Sequence, residues 1–157
     1  MTHHSRDEAS ERPEWPQQAL EWCLREGRVA IGWDSGDLRQ YRSPQDITQT
    51  VKRAHPGLHN VPYSGKQLWA FLHDMQVGDF VILSTGTYRA TMQVTGEYEY
   101  VPAGDAQGHY QHQRMAKAVL LPPKQLWKNA GGRGVGWAVY WALVKCAKGV
   151  DASGNAA

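Results

Sequence analysis

The hydrophobic pattern between residues 64 and 100 changes its period twice. A helical stripe at i, i+3, i+4 and i+7 predicts a helix over residues 66–76. The stripe consists of Leu68, Phe71, Leu72 and Met75. The pair Gly78-Asp79 then ends the helical period, and residues 80–83 are an apolar run of strand length. Strict alternation follows, which predicts a second strand. Its two sides carry Ala90, Met92 and Val94 on one face and Thr91, Gln93 and Thr95 on the other.

Two further helices are predicted before this region. The first covers residues 16–26, stops at Gly27, and precedes a strand over residues 28–33. The second opens with the capping box Ser43-Pro44-Gln45-Asp46 and ends at His55-Pro56-Gly57. The side chains predicted to face inward are Ala19, Trp22 and Cys23 in the first helix, and Ile47, Val51 and Ala54 in the second.

The chain after Tyr100 predicts a loop and two more strands. Residues 101–111 are rich in small and polar side chains, which is typical of a loop. Strands are predicted over residues 112–121 and 135–145, although an i, i+4 tryptophan pair in the latter also fits a helix. Short strands with a few packed helices favour an α+β barrel over a doubly wound sheet.

Length and composition predict one domain. A chain of 157 residues with 41% hydrophobic residues is long enough for a single core. We expect that domain over residues 15–148, with a disordered segment 1–14 and a flexible tail 149–157. The chain has no transmembrane-length apolar run and its N-terminus has no signal-peptide pattern, so a cytoplasmic location is expected. Cys23 and Cys146 are far apart, and reduced thiols are the favoured interpretation.

Charge is distributed unevenly. Residues 106–150 contain seven basic residues and no Asp or Glu, whereas the first 43 residues contain eight acidic and six basic ones. A positive half is typical of proteins that bind a phosphate backbone. A solvated surface whose charges happen to cluster is the alternative.

Three sequence words together resemble one superfamily. The words are DMQVGDFVIL, VTGEYEY and the His112-x-Arg114 motif. In this order they resemble the EVE, YTH and PUA-like group of small barrels over residues 28–145. They are most similar to the EVE-like DNA-reading domains of McrBC-type modification-dependent restriction systems. The resemblance implies an α+β fold with a PUA-like small mixed β-barrel flanked by helices.

The resemblance also implies a function. Such domains bind DNA, most often double-stranded, and flip a modified base into an aromatic pocket. The implied protein is a binding domain, not an enzyme, and needs no cofactor or metal. Nuclease or NTPase activity is expected on a partner domain or chain.

Seven residues are candidates for the modified-base pocket. Trp33 ends a predicted strand, directly before a polar loop, as a Gly-Trp does at the pocket mouth in the similar domains. Ser84 and Thr85 would bond the base edge, or simply cap a turn. The full set is Trp33, Tyr63, Ser84, Thr85, Tyr88, Tyr100 and Tyr110, with one of the last two expected as a wall. For Trp33 the alternative is a place at the edge of the core.

Four basic residues are candidates for backbone contacts. They are Arg114, Lys117, Lys128 and Arg133. Arg114 would grip a phosphate bidentately, or else pair with a carboxylate such as Glu97. The glycine-rich segment 131–136 lacks the spacing of a nucleotide-triphosphate loop. His109 and His112 have no nearby Cys, Asp or Glu to complete a zinc site, and none is expected.

Two other functions compete with the first. One is an RNA-binding PUA-like domain without a modified-base cage, and the other is a small ASCH-type ribonuclease. The ribonuclease needs a base and a cation around a cleft, and the sequence offers no convincing trio of that kind.

Overall fold

The described residues combine one antiparallel sheet with four helices. The computed structural model describes residues 15–57, 61–85, 88–105, 108–132, 150–151 and 153–155. Its elements in chain order are α1 (Trp15–Glu26), β1 (Arg28–Ile31), a 3-10 turn (Leu38–Gln40), α2 (Pro44–Ala54), α3 (Val61–His73), β2 (Phe80–Ser84), β3 (Arg89–Tyr100), β4 (His112–Ala118) and α4 (Pro123–Asn129). The α+β prediction is confirmed. The predicted segments 1–14 and 135–145 lie outside the described residues.

The four strands form a curled half-barrel with the order β1-β4-β3-β2 and antiparallel neighbours. At one end, which we call the His112 end, both Ile31 and Tyr100 lie opposite His112. At the other end, the hairpin end, Ser84 lies opposite Arg89. Since β3 has 12 residues, these ends are roughly 35 Å apart along the strand.

Helices α2 and α3 pack side by side over the inner face of the sheet. Ser43 Oγ accepts a hydrogen bond from the amide of Asp46 at 3.2 Å, as the capping box predicts. Gly65 marks the close approach, because a Cβ there would lie 2.0 Å from the carbonyl oxygen of Pro44. The predicted inward residues Ile47, Val51, Leu68 and Phe71 are buried. Ala54 is exposed, so that part of the prediction is wrong.

Arg114 explains why α3 ends at His73, before the predicted boundary of residue 76. Only 1% of this arginine is exposed. Its Nε donates to the carbonyl of Phe71 at 3.0 Å and its Nη2 to that of Leu72 at 2.8 Å. These are carbonyls of the last helical turn, which have no partner within a helix. The guanidinium therefore acts as the C-terminal cap of α3.

The same burial removes Arg114 from the predicted backbone contacts. In β4 the inward positions are His112, Arg114 and Ala116, and all three are buried. The Nη1 atom also lies 3.5 Å from an oxygen of Glu97, the carboxylate partner considered in the sequence. A guanidinium enclosed in this way cannot reach a phosphate, so that prediction is wrong.

Helix α1 covers the outer face of β1. It ends at Glu26, and Gly27 follows with φ of 63°, the left-handed stop that the sequence predicts. Ala19 packs with Ala30 and with Tyr110, of which only 3% is exposed. Tyr110 is thus core on this face and does not serve as a pocket wall.

The described residues of the predicted tail form hydrogen bonds with α4 and with one another. Within its described part, the side-chain Nδ2 of Asn129 in α4 donates to the backbone carbonyl of Gly154 at 2.8 Å. Asp151 also accepts hydrogen bonds from the backbone amides of Ser153 and Asn155. Residues 150–151 and 153–155 therefore include a turn that packs on α4, and the flexible tail or linker over residues 149–157 stays a prediction.

Candidate functional site

Trp33 is strained and half-buried. It lies two residues after the end of β1, and its φ of 93° is a left-handed value that a bulky side chain rarely adopts. Such a conformation costs about 1–3 kcal/mol and is found preferentially at binding sites and switches. The ring packs against the main core, yet its buried Nε1 has no hydrogen-bond partner within the described chain. A strained backbone and an unpartnered donor thus coincide in one residue.

A chain of four polar groups holds this backbone in place. The amide of Leu38 donates to the hydroxyl of Tyr98 at 3.1 Å. That hydroxyl lies 2.9 Å from Nδ1 of His112. On the other side of the ring, Nε2 lies 3.0 Å from the carbonyl oxygen of Trp33. The chain therefore connects the 3-10 turn, β3 and β4 to the strained residue.

The partners determine the direction of each hydrogen bond. A backbone carbonyl only accepts, so Nε2 of His112 must carry the proton that is donated to Trp33. Nδ1 is then the acceptor for the Tyr98 hydroxyl. Ser35 Oγ, 3.2 Å from Nε2, accepts a share of the same N–H. Every donor in this chain has an acceptor when the imidazole is neutral.

Burial keeps both ionisable groups neutral. The imidazole of His112 has no exposed surface, and its burial lowers the pKa to about 4. Burial likewise raises the pKa of Tyr98 to about 12. At neutral pH the chain of hydrogen bonds is uncharged.

The loop after Trp33 is held by the same end of the sheet. The carbonyl of Ser35 accepts from the hydroxyl of Tyr41 and, at 3.4 Å, from the side chain of Gln40. Asp37 accepts from the amide and guanidinium of Arg39, which lowers the pKa of Asp37. Residues 33–41 thus form an ordered polar loop, not a loosely attached one.

Aromatic and basic groups surround Trp33. The ring of His55, the C-cap of α2, lies edge-on at 6.2 Å between centroids. The turn before it carries Lys52 and Arg53, both exposed and without a carboxylate partner in the described chain. Tyr63 is 51% exposed in the first turn of α3.

Tyr100 completes this group from the other side. Its ring lies 5.8 Å from that of His112 and is half-buried. Of the seven predicted pocket residues, Trp33 and Tyr100 therefore share the His112 end.

The hairpin end holds the other predicted polar residues. Thr85 Oγ accepts from the amide of Tyr88 at 3.1 Å, and the amide of Thr85 donates to the carbonyl of Tyr88 at 2.9 Å. Thr85 therefore caps the turn between β2 and β3, the alternative considered for it in the sequence. Ser84 ends β2 beside it, and Tyr88 is 60% exposed. The register places these three residues at the opposite end of β3 from Trp33, so the structure does not form the single pocket that was predicted.

A family model described as a domain of unknown function (DUF8426) matches residues 10–118. The chain belongs to the DUF8426 family. The matched part contains the whole sheet, Trp33 and the Tyr98–His112 pair, and it ends at the last residue of β4. No curated protein and no solved structure matches the chain.

Two basic candidates lie outside this group. Lys117 is exposed on β4, five residues past His112 and opposite Gln93. Lys128 is exposed in the last turn of α4, beyond the DUF8426 match. Arg133 lies outside the described residues, as does most of the glycine-rich segment.

Sequence reasoning missed the supporting residues of the site. The signal for His112 was present, because it occupies an inward position in an alternating strand where an apolar residue is usual. Ser35 and His55 carry no comparable local signal, since only the fold brings Ser35 to His112 and His55 to Trp33.

The described residues contain neither a metal-binding cluster nor a membrane-spanning helix. Among the described side chains, no three from His, Cys, Asp and Glu come together as a metal site. No helix in the described ranges has the length and apolar character needed to cross a membrane. Cys23 is buried, which raises its pKa to about 11, and Cys146 lies outside the described residues.

Proposed function

We propose that this DUF8426 chain is a nucleic-acid-binding module that receives a modified DNA base against the face of Trp33. The observation that carries the proposal is Trp33 itself, half-buried and left-handed with an unpartnered Nε1. Positive φ alone does not mark a site, since the buried Tyr110 also has a φ of 59°; at Trp33 it coincides with a half-buried ring and an unpartnered donor. Exposed Lys52 and Arg53 lie on the helix that contacts it through His55.

The physical basis is stacking combined with charge. A base that leaves the duplex loses its stacking and recovers it on an aromatic face, worth about 1–3 kcal/mol per base. Trp33 supplies that face, and Tyr100 is a second aromatic side chain at the same end of the sheet. Tyr63, exposed in the first turn of α3, is a further aromatic candidate in this proposal. Cations beside such a face neutralise the flanking phosphates.

Lys52 and Arg53 are the phosphate contacts in this proposal. Residues 38–73 contain five Lys and Arg and one acidic residue, Asp46. This segment is therefore predominantly basic, as is the C-terminal part of the chain. Its position beside Trp33 favours it over Lys117 and Lys128, which serve at most a peripheral contact.

The finer fold assignment belongs to the same proposal. A curled antiparallel half-barrel with helices on its inner face, and a tryptophan two residues after the first strand, agree with what an EVE- or PUA-like domain would have. Within that family the chain would be the specificity domain of a modification-dependent restriction system. The chemistry would then reside on a nuclease or NTPase partner.

A panel of short duplexes tests this function. Each duplex carries one modified base, and unmodified duplexes and single-stranded RNA of the same sequence are bound in parallel. We expect tighter binding to at least one modified duplex. Preferred binding to the RNA would favour the RNA-binding alternative, and equal binding throughout would contradict base recognition.

Trp33→Ala identifies the site. We expect it to lower the ratio of modified to unmodified affinity by roughly tenfold or more, the value of one stacked base. Backbone contacts are retained, so unmodified binding should change little. Trp22→Ala is the matched control, because Trp22 is a half-buried tryptophan of α1 that packs on the core. Melting temperatures of both variants separate lost binding from lost folding. A folded Trp33→Ala protein with an unchanged ratio would exclude Trp33.

A further inference from the structure

We propose that the Tyr98–His112 pair is a positioning device for Trp33, and that it sets the selectivity of the site without touching the ligand. The inference rests on the proposed function for its ligand, but the positioning itself is a property of the unbound protein. Its basis is the hydrogen-bonded chain from the amide of Leu38 to the carbonyl of Trp33.

The strained residue needs such support. A bulky residue with positive φ persists only where its surroundings over-determine its conformation. The imidazole of His112 is the donor that the structure aims at the Trp33 carbonyl, and it is fully enclosed. Rotation of the peptide plane after Trp33 would leave that buried N–H without its backbone acceptor, which is unfavourable.

Tyr98 fixes which nitrogen of His112 carries the proton. Its hydroxyl accepts from Leu38 and so directs its own hydrogen to Nδ1. Nδ1 is thereby an acceptor, and the imidazole proton must reside on Nε2, facing Trp33. Without this hydroxyl, the ring can exchange its two neutral forms, and in one of them the bond to Trp33 is lost.

Tyr98→Phe is the first test, and Tyr100→Phe is its matched control. Both substitutions remove one hydroxyl from β3 beside the same imidazole, but only that of Tyr98 bonds to the ring. We expect Tyr98→Phe to speed amide hydrogen exchange across residues 33–38 and to shift the indole N–H resonance of Trp33. It should also reduce the modified-to-unmodified affinity ratio roughly fivefold, as the loss of one net hydrogen bond would. Tyr100→Phe should change neither exchange nor resonance.

A rescue pair at position 112 provides the second test. His112→Gln keeps an N–H of similar reach for the Trp33 carbonyl, whereas His112→Leu has none. We expect the glutamine variant to retain most of the selectivity and slow loop exchange, and the leucine variant to lose both. If the leucine variant does not fold, Tyr98→Phe decides alone.

The readouts separate this inference from the proposed function. Unchanged loop exchange and an unchanged indole resonance in folded Tyr98→Phe would overturn the positioning role. Faster exchange with an unchanged affinity ratio would overturn the claim on selectivity. If wild-type protein prefers no modified duplex, the proposed function fails, and the exchange and resonance data still decide whether the pair positions Trp33.

Discussion

The two ends of the sheet differ in how far apart in the chain their hydrogen-bond partners lie. At the hairpin end, Thr85 and Tyr88 are three residues apart and satisfy each other within one turn. At the His112 end, the ring of His112 bonds to residues 77 and 79 positions away in the chain, Ser35 and Trp33. The local hydrogen bonds satisfy the polar groups of a turn, whereas the long-range ones hold the strained backbone of Trp33.

The difference indicates where long-range hydrogen bonds stabilise a strained conformation, which is at Trp33. A local turn needs no help from the rest of the fold, so residues that cap it are explained by structure alone. A left-handed tryptophan held by three separate elements is not needed to build the sheet. This contrast is why we place function at the His112 end and not at the hairpin.

The largest expected effect is the pH dependence that His112 confers on stability. Its folded-state pKa of about 4 lies below the usual histidine value of roughly 6.5. The unfolded chain therefore binds the proton more readily. The free energy of unfolding should be unaffected above pH 7, fall by about 3 kcal/mol as the pH drops from 6.5 to 4, and level off below.

Denaturation at a series of pH values measures this, with His112→Gln as the control. The neighbouring ionisable groups Asp34, Asp37 and Tyr98 are present in both proteins, so the difference between the two curves isolates the histidine. A constant difference between pH 7 and 4 would show that His112 is accessible to protons and that the network is looser than described.

The second effect concerns salt. Replacing Lys52 and Arg53 with glutamine should reduce the slope of log affinity against log salt by about two, one for each phosphate contact. Lys124→Gln with Lys128→Gln is the matched pair, since both are exposed lysines of α4 beyond the hairpin end. That pair should leave the slope nearly unchanged. The reverse result would place the DNA phosphate contacts on α4 and would contradict the assignment of binding to the His112 end.

Much of the fold could be predicted from the sequence, because its signals are local. The Gly27 stop, the Ser43 capping box and the alternation of β3 each involve residues within a few positions. The candidate site could be predicted only in part. Trp33 stood out by its place at the end of a predicted strand, but its backbone strain did not, since φ at a tryptophan has no sequence signature.

Arg114 shows most clearly what local sequence signals cannot predict. A basic residue in a basic half of the chain suggested a phosphate contact. The alternation of β4 placed it inward, where the open carbonyls of α3 were its partners. Similarly, the family resemblance implied that Ser84 and Trp33 line one pocket, but antiparallel pairing places the end of β1 and the end of β2 at opposite ends of the sheet.

The third effect is on the hairpin. Thr85→Val removes the acceptor for the amide of Tyr88 and should cost about 1 kcal/mol of unfolding free energy. The modified-to-unmodified affinity ratio should not change. Thr95→Val, at an exposed position of β3, serves as the control and should be nearly neutral. A loss of selectivity in folded Thr85→Val would restore this threonine to the base-edge role predicted from the sequence.

The smallest expected effect distinguishes two exposed tyrosines. Tyr88 and Tyr63 are the same residue type with similar exposure, 60% and 51%, but Tyr88 lies in the turn between β2 and β3 and Tyr63 in the first turn of α3. Tyr88→Ala should change stability by less than about 0.5 kcal/mol and leave base selectivity intact, as expected for a surface side chain of a turn. Tyr63→Ala should reduce selectivity roughly fivefold if its ring forms part of the aromatic surface around Trp33. Affinity ratios for the two variants, measured on the same duplexes, decide the matter. A loss with Tyr88→Ala alone would move the site to the hairpin end, because no feature of the Trp33 region could produce it.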